Sequence, residues 1–276
     1  MKINISNLIL FLFSTQKQIL EKIFRFVKLI KKNPYKITIF FKRYYLNLLW
    51  QDQKYILTNL NNSDSDFYKS NYTIRELEHQ VGRYLNMKKI VNEIKKEKID
   101  GDILEFGTYQ GLGLLMLNLC FENNNRKFIG IDSFEGLPHS STVWEKGAFH
   151  DTSMQLTLKN IAKNSSNTAS FKLIKGWFND KFVSDSLYTM TNNLCIIHFD
   201  ADLYSSTITA LKIIEPYLKN RKKPIFFLFD DWGCNQDEVP DAFFDWLSTA
   251  QTFYNFKIKK VSTTKITRYY KLTFNL

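Results

Sequence analysis

Three clusters of acidic and glycine residues carry the chemistry this sequence offers. The first, Glu105-Phe-Gly107-Thr-Tyr-Gln-Gly111-Leu-Gly113, follows a short apolar run. Glycines after a strand let the backbone approach a ligand at the start of the next helix. A dinucleotide fingerprint is spaced G-x-G-x-x-G, whereas this turn is spaced G-x-x-x-G-x-G with an acid in front. A carboxylate there repels pyrophosphate and attracts an amino group. A cationic cofactor therefore suits the turn, with a purely structural tight turn as the alternative. The second cluster is Asp132-Ser-Phe-Glu-Gly-Leu-Pro138. An acid at a strand end can accept hydrogen bonds from a ribose diol or cap a helix; beside the first cluster, the ribose reading is favoured. The third joins Asp200-Ala-Asp202-Leu-Tyr-Ser-Ser to Asp230-Asp231-Trp-Gly. Carboxylates gathered at two strand ends repel one another unless a hard divalent cation neutralises them. Mg²⁺ takes one or two carboxylates plus waters and substrate. The alternative is that Asp202 and Ser205 cap the next helix while one of Asp230 and Asp231 faces solvent.

Other reactive side chains have plainer readings. His198 is expected on the opposite strand face from the acids, as a buried core residue. Residues 139–153 are long and polar enough for a substrate lid, and His150 within them is a minor candidate for a base. Trp177 suits either adenine stacking or core packing, and Tyr204 is a candidate for the cleft wall.

The elements that must position these residues alternate. Helical patterning is expected at Ile74–Lys96 (with Leu77, Val81, Leu85 and Ile90 as its apolar set), Leu112–Phe121, Met154–Lys163, Ser206–Leu218 and Val239–Ala250. Short apolar runs at Ile103–Phe106, Lys127–Ile131, Phe171–Ile174, Leu194–Phe199 and Ile225–Phe229 read as strands. Phe253–Val261 and Lys265–Phe274 read as a closing antiparallel hairpin linked by Ser262–Thr264. Such alternation predicts an α/β fold: a mostly parallel sheet with helices on both faces. Ligands then sit at the carboxyl ends of the strands, where the acids are.

Composition bounds the rest. With 44% hydrophobic and 24% charged residues, the chain is globular rather than disordered. The net charge of +11 is concentrated at the N-terminus, where residues 1–54 hold eleven Lys/Arg against two acids. The remainder is close to neutral, so no nucleic-acid surface is expected there. Cys120, Cys195 and Cys234 have neither disulfide-framework nor zinc spacing, which points to a reducing, cytoplasmic setting. The apolar run at residues 8–13 is too short to span a bilayer. It lacks a cleavage site and is expected to be retained. Residues 16–32 and 35–50 read as basic amphipathic helices that suit packing on protein, including a second copy in a homo-oligomer, or peripheral contact with a membrane through residues 8–50. With the polar break at residues 61–66, the organisation reads as an extension and linker (1–66) followed by the main domain (67–276).

The segments GDILEFGTYQGLG, FIGIDSFEGLP, HFDADLYSST and FLFDDWG, in this order, resemble class I S-adenosylmethionine (AdoMet)-dependent methyltransferases. The likeness is greatest to the macrocin O-methyltransferase family and covers roughly residues 100–235. The resemblance implies a Rossmann-like seven-stranded sheet, AdoMet as cofactor, and Mg²⁺-assisted methylation of a sugar or glycoconjugate hydroxyl. It implies that Glu105, Gly107 and Gly111 border the methionine part of AdoMet. Asp132 would hold the ribose, with Ser133 and Phe134 beside it, and Asp200, Asp230 and Asp231 would bind the metal. A metal-bound hydroxyl has a lowered pKa, and Asp200 is the simplest acceptor for its proton. Gln110 and Leu112 depart from the basic and small residues of the family, and the basic extension is unusual for it; both bear on the acceptor more than the reaction. Two rival readings are a catechol-type small-molecule O-methyltransferase, which would use the same acids, and a non-catalytic membrane-associated AdoMet-fold interaction module. The intact acid set argues against the latter.

Overall fold

In the computed structural model, residues 74–121, 125–165, 167–233, 238–264 and 266–274 are described. The extension and linker at 1–66 and Cys234 lie outside them. The helices are α1 (Ile74–Lys96), α2 (Leu112–Phe121), α3 (Met154–Asn164), α4 (Lys181–Met190), α5 (Tyr204–Ile213) and α6 (Glu238–Tyr254). The strands are β1 (Asp102–Phe106), β2 (Phe128–Asp132), β3 (Phe171–Lys175), β4 (Leu194–Phe199), β5 (Ile225–Phe229), β6 (Phe256–Thr263) and β7 (Arg268–Phe274). They form one seven-stranded sheet in the order β3-β2-β1-β4-β5-β7-β6. The first five are mutually parallel, while β7 runs antiparallel to β5 and to β6.

Every residue of β4 and β5 is buried, as their continuous apolar sequences require. Alternation sends Ile103, Ile196 and Phe226 to a core with Met87, Ile90 and Leu117 of α1 and α2. Leu104, Ile197 and Phe227 face the other way, against Val183, Leu211 and Phe243 of α4, α5 and α6. The sheet is thus covered on both faces, as the alternating pattern predicts.

Three departures have local causes. Helix α4 was not anticipated, because Lys-Phe-Val-Ser-Asp-Ser-Leu-Tyr-Thr-Met is poor in strong helix formers; burial of Val183 and Leu187 one turn apart overrides that propensity. Helix α6 runs on through Phe253 and Tyr254, which the sequence reading gave to a strand. It ends at Asn255, whose φ of 44° is a left-handed terminus that asparagine tolerates. In α1, Leu85 points outward (37% exposed), and the buried stripe is Arg83, Met87, Ile90 and Ile94; the side chains of Leu77 and Val81 lie outside the described ones. Among the described residues, no helix is long and apolar enough to cross a membrane, and Cys120 and Cys195 are buried free thiols.

Candidate active site

The turn after β1 is built by contact between strand ends. The Gly107 N–H donates to the Ile131 carbonyl at 2.9 Å, and the Asp200 N–H to the Phe106 carbonyl at 2.9 Å. Gly107 has φ 82°, and a Cβ there would overlap the backbone carbonyl of Asp200. Gly107→Ala is therefore expected to lower the thermal midpoint by at least about 10 °C; a drop of under about 3 °C in a melting curve would contradict this packing. Gly111 closes the turn by donating to the Thr108 carbonyl at 2.7 Å. Gly113, in the first turn of α2, leaves space for Glu105, whose Oε1 a Cβ would strike.

Asp132 ends β2 with both oxygens engaged. Oδ2 accepts from the Tyr109 N–H and Oδ1 from the Phe134 N–H, each at 2.7 Å. Neither donor begins a helix, so the helix-cap alternative for Asp132 is set aside. Burial pushes this carboxyl above its usual range despite the two N–H donors. Tyr109 links the turn to the 139–153 segment. Its hydroxyl donates to Asp151 Oδ1 at 2.7 Å, its carbonyl accepts from Thr152 Oγ1 at 3.1 Å, and its ring meets Phe149 edge-on.

On the other side of the cleft, strand register assembles a buried polar chain. Glu105 of β1 lies opposite His198 of β4, which lies opposite Leu228 of β5. Residues two apart share a face, so Asp200 and Asp230 continue the faces of His198 and Leu228. This corrects the expectation that His198 faces away from the acids. It is fully buried, as expected, but its Nδ1 lies 2.9 Å from Glu105 Oε1 and its Nε2 lies 3.1 Å from Asp230 Oδ2. Burial alone would lower the His198 pKa, but Asp230 and Glu105 outweigh it and hold it up to about 10.

Arg83, 6% exposed on α1, completes the chain. Its Nη2 donates to Asp200 Oδ2 at 2.9 Å and sits 2.7 Å from Asp230 Oδ2. Burial opposes ionisation of Asp230, but Arg83 and His198 more than offset it and keep this carboxyl well below its usual range. Asp231 lies within hydrogen-bonding reach of both Asp200 and Asp202, contacts that form where one carboxyl of the pair carries a proton. Burial, and then the charges of Asp200 and Asp230, push Asp202 up to about 7. Burial followed by Asp202 and Asp200 raises Asp231 well above its usual range. Helix α5 takes no side-chain cap, its residue before the first turn being Leu203; the Tyr204 N–H is met instead by Glu238 Oε2 at 2.8 Å. The capping alternative for Asp202 and Ser205 therefore fails.

Glu105, Gly107, Asp132, Ser133, Asp200, Asp202 and Asp231 line one cleft of about 1350 Å³. That exceeds the roughly 300–1,000 Å³ typical of drug-sized ligands. Trp177 lines it too, beyond the end of β3. Gly111, Phe134 and Asp230 lie behind the wall rather than on it. The Phe134 ring is 6% exposed and packs in the core beside α1 and α2, so this residue meets the cofactor side only through its N–H to Asp132. His150 is exposed, with Nδ1 2.8 Å from the Gly147 carbonyl.

The donor set fits a divalent cation. Asp200, Asp202 and Asp231 line the cleft together, and the upward pKa shifts of Asp202 and Asp231 express, beyond burial, a mutual repulsion that a divalent cation would relieve. Asp230 Oδ1 is buried without a hydrogen-bond partner. The fit to a cationic cofactor is similar, since Glu105 Oε2 is also buried without a partner beside the glycine turn. Sequence reasoning missed Arg83 and His79, which stand one helical turn apart on α1 and both line the cleft. Burial, then Arg83, lowers the His79 pKa to about 4. The available signal was an arginine in register with the buried stripe at 87, 90 and 94.

Comparison with known proteins agrees with this architecture. The chain is 25% identical over 174 residues to the 8-demethyl-8-(2,3-dimethoxy-alpha-L-rhamnosyl)-tetracenomycin-C 4'-O-methyltransferase of Streptomyces olivaceus, covering 58% of this chain and 63% of that protein. It thus spans less than two thirds of the length of that relative. The fold is shared with the O-methyltransferase NovP (TM-score 0.56, 17% identity, 70% of this chain and 80% of that one). It is also shared with the calicheamicin methyltransferase CalS11 (TM-score 0.51, 19% identity, 79% and 91%). A sequence model of the macrocin O-methyltransferase (TylF) family matches residues 47–251, and the chain belongs to that family.

Proposed function

We propose that the protein is an AdoMet-dependent O-methyltransferase that methylates a sugar or glycoconjugate hydroxyl with the help of Mg²⁺. The observation that carries this reading is that Glu105 and Asp132 line the same cleft as Asp200, Asp202 and Asp231. Family membership and the rhamnosyl-directed relative support it. The catalytic part is read as residues 67–276 and the extension as residues 1–66.

When bound, AdoMet supplies an electrophilic methyl group and Mg²⁺ acidifies a hydroxyl. The chain's own residues do the remaining work. Asp132, held by two backbone N–H groups, keeps lone pairs for a ribose diol, with Ser133 beside it. The unpartnered Glu105 oxygen attracts an amino group at the glycine turn bounded by Gly107 and Gly111. Asp200, Asp231 and the free oxygen of Asp230 would hold the cation. Arg83 occupies one oxygen of Asp200, which leaves Asp202 as the less encumbered acceptor of the hydroxyl proton, with Asp200 beside it. Fixing both reactants in one cleft is worth several orders of magnitude in rate.

The acceptor side favours a sugar over a catechol. Ser205, Ser206, Thr209, His139 and Lys146 line the cleft along with aromatic rings such as Trp144, giving hydrogen-bonding groups among stacking rings rather than a flat apolar slot. The test is transfer of a labelled methyl group from AdoMet to a panel of rhamnosides, nucleotide sugars and catechols, in Mg²⁺ and in EDTA. Mg²⁺-dependent labelling of sugars is expected. Labelling confined to catechols would refute the sugar reading, and full activity in EDTA would refute the metal.

A further inference from the structure

We propose that Arg83 is a positioning residue for the acid centre: its guanidinium holds Asp200 and Asp230 together before a divalent cation arrives, so the cation binds as an exchangeable one and not as a structural ion. The proposal rests on the metal reading above.

The geometry is specific. One nitrogen, Nη2, contacts Oδ2 of both Asp200 and Asp230, at 2.9 and 2.7 Å. Those carboxylates stand at the ends of the neighbouring strands β4 and β5 and would repel one another without it. The arginine comes from α1, ahead of the first strand of the sheet, and is anchored there by Nη1 donating to Gln80 Oε1 at 3.3 Å. Its contacts take one oxygen from each carboxylate and leave Asp230 Oδ1 without a partner. Asp231 stands half-buried on the cleft wall, outside the two ion pairs of Arg83. A cation therefore finds ligands already gathered on one side and an internal positive charge on the other. Removing one member of a buried ion pair is strongly destabilising, because it strands the other. Here Asp200 would be stranded and Asp230 left with His198 as its cationic partner, and an added divalent cation would then take over the missing charge.

The experiment is thermal unfolding of the full chain in EDTA and in millimolar Mg²⁺, with calorimetry of Mg²⁺ binding to the wild type. The wild type is expected to bind Mg²⁺ and to melt only a few degrees higher in it, the shift that weak, exchangeable binding adds. Arg83→Met is expected to melt about 10 °C lower in EDTA and to regain at least half of that loss in Mg²⁺. Arg83→Lys, which keeps the charge but not the fork, is expected to lose less. Adding Asp200→Asn to Arg83→Met is expected to recover stability in EDTA, because it removes the stranded charge. That double variant keeps the test decisive if Arg83→Met alone does not fold. A deficit of equal size in both buffers, or no rescue by Asp200→Asn, overturns the role of Arg83 while leaving the metal reading intact. No Mg²⁺ binding by the wild type overturns the metal reading, and this proposal with it.

Discussion

Asp231→Asn is expected to reduce methyl transfer by about 1,000-fold while leaving AdoMet affinity within about threefold of the wild type, as loss of several kcal/mol of cation-assisted stabilisation implies. Asparagine matches aspartate in size and can still hydrogen-bond to Asp200 and Asp202, so the fold is preserved. What is lost is one negative charge from a group of carboxylates whose mutual repulsion is their affinity for a cation. The substitution also relieves that repulsion, so thermal stability should hold or rise slightly. This combination of unchanged or improved melting, intact AdoMet binding and lost turnover separates a functional centre from a structural one. Single-turnover assays on the acceptor found in the panel, over a range of Mg²⁺ concentrations, would test it. Turnover within twofold of the wild type would sink the acid-centre mechanism. The same assay on Asp202→Asn and Asp200→Asn compares the two proton acceptors, which both line the cleft but of which Asp200 alone is held by Arg83.

Asp132→Ala is expected to weaken AdoMet binding by at least about 100-fold, from the loss of two or more hydrogen bonds to a carboxylate together with the cost of donors left unpaired. Its two oxygens hold the N–H groups of Tyr109 and Phe134, each at 2.7 Å. Both of those residues have positive φ, 48° and 57°, a conformation that costs a non-glycine residue energy and persists only when its surroundings enforce it. Alanine removes that enforcement along with the diol acceptor, so the cofactor turn loosens as its ligand contact disappears. Asp132→Asn retains one acceptor oxygen but turns an NH₂ toward one of the donors, and should fall between. Calorimetry with AdoMet and its demethylated product measures both variants. Affinity in Asp132→Ala within about fivefold of the wild type would show that the ribose is held elsewhere.

The strands and the acids at their ends were legible in the sequence for one physical reason. A strand covered on both faces must be mostly apolar, so an aspartate that ends such a run marks where the chain leaves the core at the ligand-binding edge. Leu194–Phe199 before Asp200 and Ile225–Phe229 before Asp230 are such cases, and each strand runs as expected. The glycine turn and Asp132 were legible because close backbone approach leaves a local mark. Helix α4 left none, since its propensity is weak and its existence depends on what Val183 and Leu187 bury against. The direction of His198 was derivable from period-two alternation, which puts it on the same face as Asp200. Its partners were not derivable, because they depend on the register that sets Glu105 beside it across two strands. Arg83 is 117 residues from Asp200, and nothing local in the sequence connects them. The sequence by itself determined which groups reach the cleft edge, since burial and backbone geometry are local constraints on residue type. Only the tertiary structure decided which charge meets which: pairing energy depends on distances of about 3 Å between segments far apart in the chain, and these exist only once α1 has packed against the sheet.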